Sequence, residues 1–237
     1  AYHRLREGEQ ASTSAPSPGD FLAAFGRLAD RGMREIVVLT LPAELTAVHR
    51  SALLAAPESP VPTRVVDCRT AAAAQGWVVI EAARAAAAGA TVDAILQRVD
   101  YVRRRSRLFA MVPELQYLRR GGRAVQALAR IGAALGVVPV LALVEGRVEP
   151  LAVVRSREAA VERMLSDVAA DARAGRLHLA VMEADAPEEA TALMRRVRRE
   201  LAPAELLLTA FTPAMGVHAG PGIVGVGYWV EPPAPDI

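Results

Sequence analysis

Short apolar runs separated by helix-length stretches set the first limit on this chain. Glu35–Thr40 (EIVVLT), Val61–Asp67 (VPTRVVD) and Leu108–Val112 (LFAMV) have the length of buried strands, and the first two carry the β-branched residues strands favour. Between them lie helix signals. Ser17 is a good N-cap with Pro18 at the first helical position and Asp20 where a capping box wants an acid, and Gly32 is a stop. Thr46 opens a helix to about Ala55, an alanine-rich helix runs from about Gln75 to Ala88, and Thr91 caps another to about Arg104. Strand–helix alternation at this spacing predicts a mainly parallel sheet covered by helices.

The second half reads differently. A short helix ends at Gly121-Gly122 and another runs to Leu135. Val138–Val144 and Arg147–Val154 then form a hairpin joined at Glu145-Gly146. Ser156 caps a helix to about Ala174, and Leu177–Glu183 is a strand. Asp185-Ala186-Pro187-Glu188 reads as a capping-box start for a helix to Leu201, and strands at 206–211 and 223–230 follow. The hairpin makes this a mixed sheet. The expectation is two α/β domains, 1–115 and 116–237.

Composition excludes more than it selects. The 237 residues carry 28 basic and 26 acidic side chains, net +2, so global charge makes no case for nucleic acid or an anionic membrane. No apolar run reaches the roughly 18 residues of a membrane helix. The single cysteine, Cys68, excludes an internal disulfide and suits the cytoplasm, the expected location. There is no lysine, which removes a Schiff-base lysine, a P-loop lysine and a Ser-Lys dyad together. The four histidines and one cysteine show no metal spacing, and no nucleotide fingerprint is present. Neither metal nor cofactor is expected.

What remains are donors. In Thr209–Gly227 (TAFTPAMGVHAGPGIVGVG) a strand runs into a loop framed by Gly216, Gly220 and Gly222 and carrying His218, with Pro221 stiffening the turn. Such a loop suits a bound anion; a tight turn with a solvated histidine is the other reading. Thr46 follows a strand whose carboxyl end can hold an anion, and it serves equally as a cap. Thr13 and Ser14 lie in an extended pre-proline segment, and Arg123 follows a glycine pair. Arg103, Arg104, Arg105 and Arg107 cluster at a helix end, where cations offset the dipole; a phosphate site is the rival reading. Neutral and cationic donors without a nucleophile–base pair favour binding one carboxylate over catalysis.

Thr13–Phe21 (TSAPSPGDF), Val66–Trp77 (VDCRTAAAAQGW), Leu115–Ala124 (LQYLRRGGRA), Pro139–Ala160 (PVLALVEGRVEPLAVVRSREAA), Ala184–Ala190 (ADAPEEA) and Gly216–Gly222 (GVHAGPG) resemble the DegV family in the family's order. The resemblance implies a fatty-acid-binding protein of two α/β domains, with one acyl chain between them. It further implies that the bound acid is presented to a separate fatty-acid kinase, the binding protein doing no phosphoryl chemistry itself, with at most transient membrane contact. Carried over by position, Thr13, Ser14, Thr46, Arg123 and His218 are implied to hold the carboxylate and Arg155 to help dock the kinase. Ala15 replaces a common glutamine, and Thr46-Ala47-Val48 replaces Ser-Gly-Thr, which keeps a hydroxyl but crowds it. The family ordinarily opens with a further strand and turn, so a strand ahead of residue 1 is expected to complete the first domain. An alternative from another class is a dihydroxyacetone-kinase-like enzyme using His218 in covalent or acid–base chemistry. A regulatory protein without ligand is a third.

Overall fold

The structure, a computed structural model, describes residues 2–7, 11–122, 131 and 136–233. Two sheets organise it. Strands β1 (Ile36–Thr40) and β2 (Thr63–Asp67) pair in parallel. Strands β3 (Ser106–Met111), β4 (Val138–Val144), β5 (Arg147–Val154), β6 (Arg176–Ala184), β7 (Glu205–Ala210) and β8 (Ile223–Glu231) form a mixed sheet in the order β5-β4-β3-β8-β6-β7. Only β6 and β7 run parallel in it; the other neighbours are antiparallel.

Among the described residues the α-helices include α1 (Tyr2–Arg6), α2 (Pro18–Asp30), α3 (Val48–Ala55), α4 (Ala72–Ala87), α5 (Val92–Arg105), α6 (Leu115–Gly121), α7 (Arg157–Ala172), α8 (Pro187–Leu201) and α9 (Pro213–Ala219). Strand alternation sorts them into layers. Leu179 and Val181 of β6 and Val226 and Tyr228 of β8 face α7 and α8. Ala180 and Trp229 face the opposite side and pack with Trp77, Val78, Val99 and Val102 of α4 and α5. The same helices meet Val37, Leu39 and Val66 of the small sheet, whose far face takes Phe25 of α2 and Ala55 of α3. α4 lies close on β8 because position 227 is glycine: a Cβ there would stand 2.5 Å from the Ala74 nitrogen. The buried Trp77 indole N–H donates to the Gly227 carbonyl at 3.0 Å across this contact.

Local signals hold where chemistry within a few residues decides. The Ser17 hydroxyl accepts from the Asp20 N–H, and the Asp20 carboxylate accepts from the Ser17 N–H at 2.8 Å, a complete capping box. Glu145 and Gly146 both have positive φ, as a two-residue hairpin turn of this type requires.

Three expectations are corrected. β3, placed by sequence at the end of the first domain and in a parallel sheet, pairs antiparallel with β4 and β8. The sheets therefore do not divide at residue 115: the larger one reaches back to Ser106, and α4 and α5 serve both. Residues 213–219 are a short helix rather than a loop, with Thr212 extended at the cap position and Pro213 opening the first turn. Asp185 caps nothing. It sits at φ 57°, Ala186 is the N-cap of α8, and the Asp185 carboxylate pairs with Arg6 at 2.5 Å.

Candidate functional site

Two of the predicted donors meet at α9. Its last turn carries His218, half-buried, whose Nε2 lies 2.6 Å from the Thr13 hydroxyl across 205 residues of sequence. Thr13 reaches it from the extended segment before the Ser17 cap, with Ala15 and Pro16 between. The structure thus brings together two of the five predicted carboxylate donors. Ser14 is exposed on the same segment. Thr46 is half-buried in the turn between β1 and α3, and its hydroxyl accepts from the Val48 N–H at 3.4 Å; the N-cap of α3 is its neighbour Ala47, so Thr46 does not take the cap position expected of it. Its neighbour Leu45 packs in one apolar cluster with Phe211, Met215 and Ala219, so this turn flanks α9. Arg123 lies outside the described residues. Arg155 is exposed in the turn between β5 and α7.

Two of the three framing glycines make room for aromatic rings. A Cβ on Gly216 would stand 2.2 Å from the Tyr2 ring, and one on Gly220 2.4 Å from the Tyr117 ring. Only Gly220 and Gly222 have positive φ. Tyr2 donates to the Phe211 carbonyl at 2.8 Å and Tyr117 to the Leu5 carbonyl at 3.1 Å. The loop is therefore clamped by two rings against α1 and α6. Tyr2 carries no motif signal; Tyr117 lies in the LQYLRRGGRA stretch, but nothing in that stretch says that its ring meets Gly220.

Beside α9 an apolar cleft of about 470 Å³ opens between α4 and the β6–β7 edge of the large sheet. Ala73, Gly76 and Ile80 line one wall, Met182 and Leu207 the other, and Phe211 and Met215 the end nearest α9. Volumes of about 300–1,000 Å³ suit small-molecule sites. Leu207 and Leu208 remain nearly half exposed, unusual for leucines on a strand. Sequence reasoning marked this run only as a strand.

A second pair lies at the end of β1, where the buried Thr40 hydroxyl meets His49 Nδ1 at 2.8 Å. Cys68, just past β2, is fully buried, and burial pushes its thiol up to about 12. Among the described residues no group of three or more potential ligand side chains could hold a metal ion, and no helix is long and apolar enough to cross a membrane.

Two α/β sheets sharing a helical layer, with an apolar cleft closed by a donor-bearing helix, define a class of two-sheet α/β protein. The chain belongs to the DegV family: the family model, described as "Uncharacterised protein, DegV family", matches residues 1–231. A DegV domain-containing protein of Streptomyces coelicolor is 40% identical over 224 residues, covering 94% of this chain and 79% of that protein. A fatty-acid-binding DegV family protein from Thermus thermophilus superposes with a TM-score of 0.89 at 31% identity, over 97% of this chain and 83% of that one. A DegV lipid-binding protein from Thermotoga maritima gives a TM-score of 0.89 at 26% identity, over 98% and 82%.

Proposed function

We propose that this chain binds a long-chain fatty acid and presents its carboxylate to a separate fatty-acid kinase that forms the acyl-phosphate. The observation that carries the reading is the Thr13–His218 pair at 2.6 Å on the helix that ends the apolar cleft. With Nε2 protonated, His218 donates to the Thr13 oxygen and frees the hydroxyl proton for a carboxylate. Ser14, Thr46 and Arg123 are proposed as further donors, Gly216, Gly220 and Gly222 as the frame that fixes His218, and Arg155 as part of the kinase-docking surface. The acyl chain runs from this end into the cleft between α4 and the β6–β7 edge.

The energetics are adequate. Burying about ten methylenes contributes roughly 8 kcal/mol, the scale of a micromolar constant before the cost of immobilising the ligand. A buried carboxylate without partners would cancel this, so a cluster of hydroxyl and imidazole donors is what such a ligand requires. The fatty-acid-binding Thermus thermophilus relative supports the ligand class.

The test is denaturing extraction of the purified protein followed by mass spectrometry of the lipid fraction. One stoichiometric fatty acid is expected. A protein that yields none, and takes up neither palmitate nor oleate, would refute the reading.

A further inference from the structure

A second pocket, of about 210 Å³, opens at the carboxyl end of β2, where parallel α/β pairs receive ligands. None of its lining residues lines the apolar cleft. Its walls come from three separate places: Arg69 and Thr70 after β2, Arg103, Arg104 and Arg107 around the α5–β3 junction, and Glu145 in the β4–β5 turn.

The charges do not balance. Asp100 takes Arg103 and Arg104, each at 2.7 Å, and Glu145 takes Arg69 at 3.0 Å with Arg103 again at 3.7 Å. Arg107 is held by two backbone carbonyls, those of Arg104 and Ser106, and among the described residues it has no ion pair. The third acid nearby, Asp67, accepts from the backbone N–H groups of Ala43 and Arg69. Four guanidinium groups thus meet Asp100, Glu145 and Asp67, while Glu44, which also acts on Arg69, is taken by Arg147 at 2.8 Å; each guanidinium has five donors to place. Capping the α5 dipole does not explain Arg69, which approaches from another element.

The second observation is Thr70. It is 4% exposed, and among the described residues its hydroxyl makes no hydrogen bond. Buried hydroxyls are ordinarily satisfied, so an orphan beside excess cationic donors marks a place for an acceptor. A fatty acid needs a long apolar slot, and the apolar lining here is only Cys68, Leu143 and Val144; a compact anion with several oxygens needs arginine forks and a hydroxyl.

We propose that this pocket binds a small tetrahedral oxyanion, inorganic phosphate or the phosphate end of a small phosphomonoester, through Arg103, Arg107 and the Thr70 hydroxyl. It is a binding site separate from that of the acyl chain.

The experiment is calorimetric titration of the whole chain with inorganic phosphate and with methyl phosphate, at ionic strength held constant by chloride. Saturable one-site binding is expected, weakened about tenfold or more by Thr70→Val and by Arg103→Gln. Thr70→Val is also expected to raise the melting temperature of the phosphate-free protein, because it removes an unsatisfied hydroxyl. Should Arg103→Gln fail to fold, Arg107→Gln, on an exposed side chain, carries the same comparison. Binding of both probes assigns the pocket to phosphomonoesters, and binding of phosphate alone assigns it to the free ion. No saturable phosphate binding, or equal binding by wild type and Thr70→Val, overturns the site. Palmitate uptake is measured in parallel; its failure with phosphate binding intact would count against the acyl reading alone.

Discussion

Thr13 and His218 share a 2.6 Å hydrogen bond that ties the segment leading into α2 to the end of α9. It crosses between elements that serve different sheets, and in the proposed reading it closes the fatty-acid site. His218→Gln and Thr13→Val are each expected to weaken fatty-acid binding about tenfold, the scale of one hydrogen bond to a charged group. Both should leave the far-ultraviolet circular dichroism unchanged. Equal affinity in both variants, measured by displacement of a fluorescent fatty acid, would remove the pair from the site.

Gly76 offers a test of the cleft. It lies in α4, lines the cleft, and a Cβ there would meet nothing within 4 Å. Gly76→Leu should therefore stabilise the helix by up to about 1 kcal/mol through propensity while filling the slot. The expected result is a higher melting temperature together with weaker binding, or a shift toward shorter acyl chains. Higher stability with an unchanged chain-length profile would place the acyl chain elsewhere.

The contrast between legible and illegible parts follows the range of the deciding interaction. The Ser17 capping box, the Glu145-Gly146 turn and the Thr91 cap are settled within four residues, and the sequence read them as they are. The partners of β3 are settled by antiparallel pairing with residues 224–229, more than a hundred positions away, which periodicity does not encode. The segment carrying His218 stood out in the sequence through its glycine frame. The frame's purpose was not legible, because Tyr2 and Tyr117 meet Gly216 and Gly220 from distant helices. The cleft was illegible for the same reason: its walls come from α4, β6, β7 and α9, each ordinary by itself.

Gly220→Ala tests the clamp. Its φ is 85°, and the added methyl would stand 2.4 Å from the Tyr117 ring, so strain and overlap act together. A destabilisation of about 2–4 kcal/mol is expected, with binding reduced because His218 is only two residues away. Urea unfolding of Gly220→Ala beside Gly26→Ala, where a Cβ would meet nothing within 4 Å, separates the clamp from a general glycine effect. Similar midpoints for the two variants would mean that the ring contact yields freely.

Arg155→Glu separates docking from binding. The side chain is exposed in the β5–α7 turn, apart from the cleft lining, so fatty-acid affinity should stay within twofold of wild type. If Arg155 docks a kinase as proposed, acyl-phosphate formation by that kinase should fall, and more steeply at low ionic strength, as for a charge at an interface rim. Loss of fatty-acid binding in this variant would show that Arg155 supports the pocket instead.

Alkaline stability gives a check with a definite sign. Burial pushes the Cys68 thiol from 9.0 up to about 12, and it also raises the Tyr228 phenol, which donates to Asp171 at 2.8 Å. For an acid whose folded value lies above its unfolded one, the neutral folded form is favoured until the unfolded chain begins to ionise. The stabilisation is therefore whole below about pH 9 and is lost as pH rises toward 12, by up to roughly 4 kcal/mol for the thiol. Urea midpoints measured from pH 7 to 11 should hold steady and then fall above about pH 9. Cys68→Ala should start from a different midpoint, because a buried side chain is shortened, yet fall less steeply. The slope that persists in Cys68→Ala belongs to the remaining buried acids, Tyr228 foremost. An identical slope in wild type and Cys68→Ala would mean that the thiol ionises as readily folded as unfolded, against its complete burial beside β2.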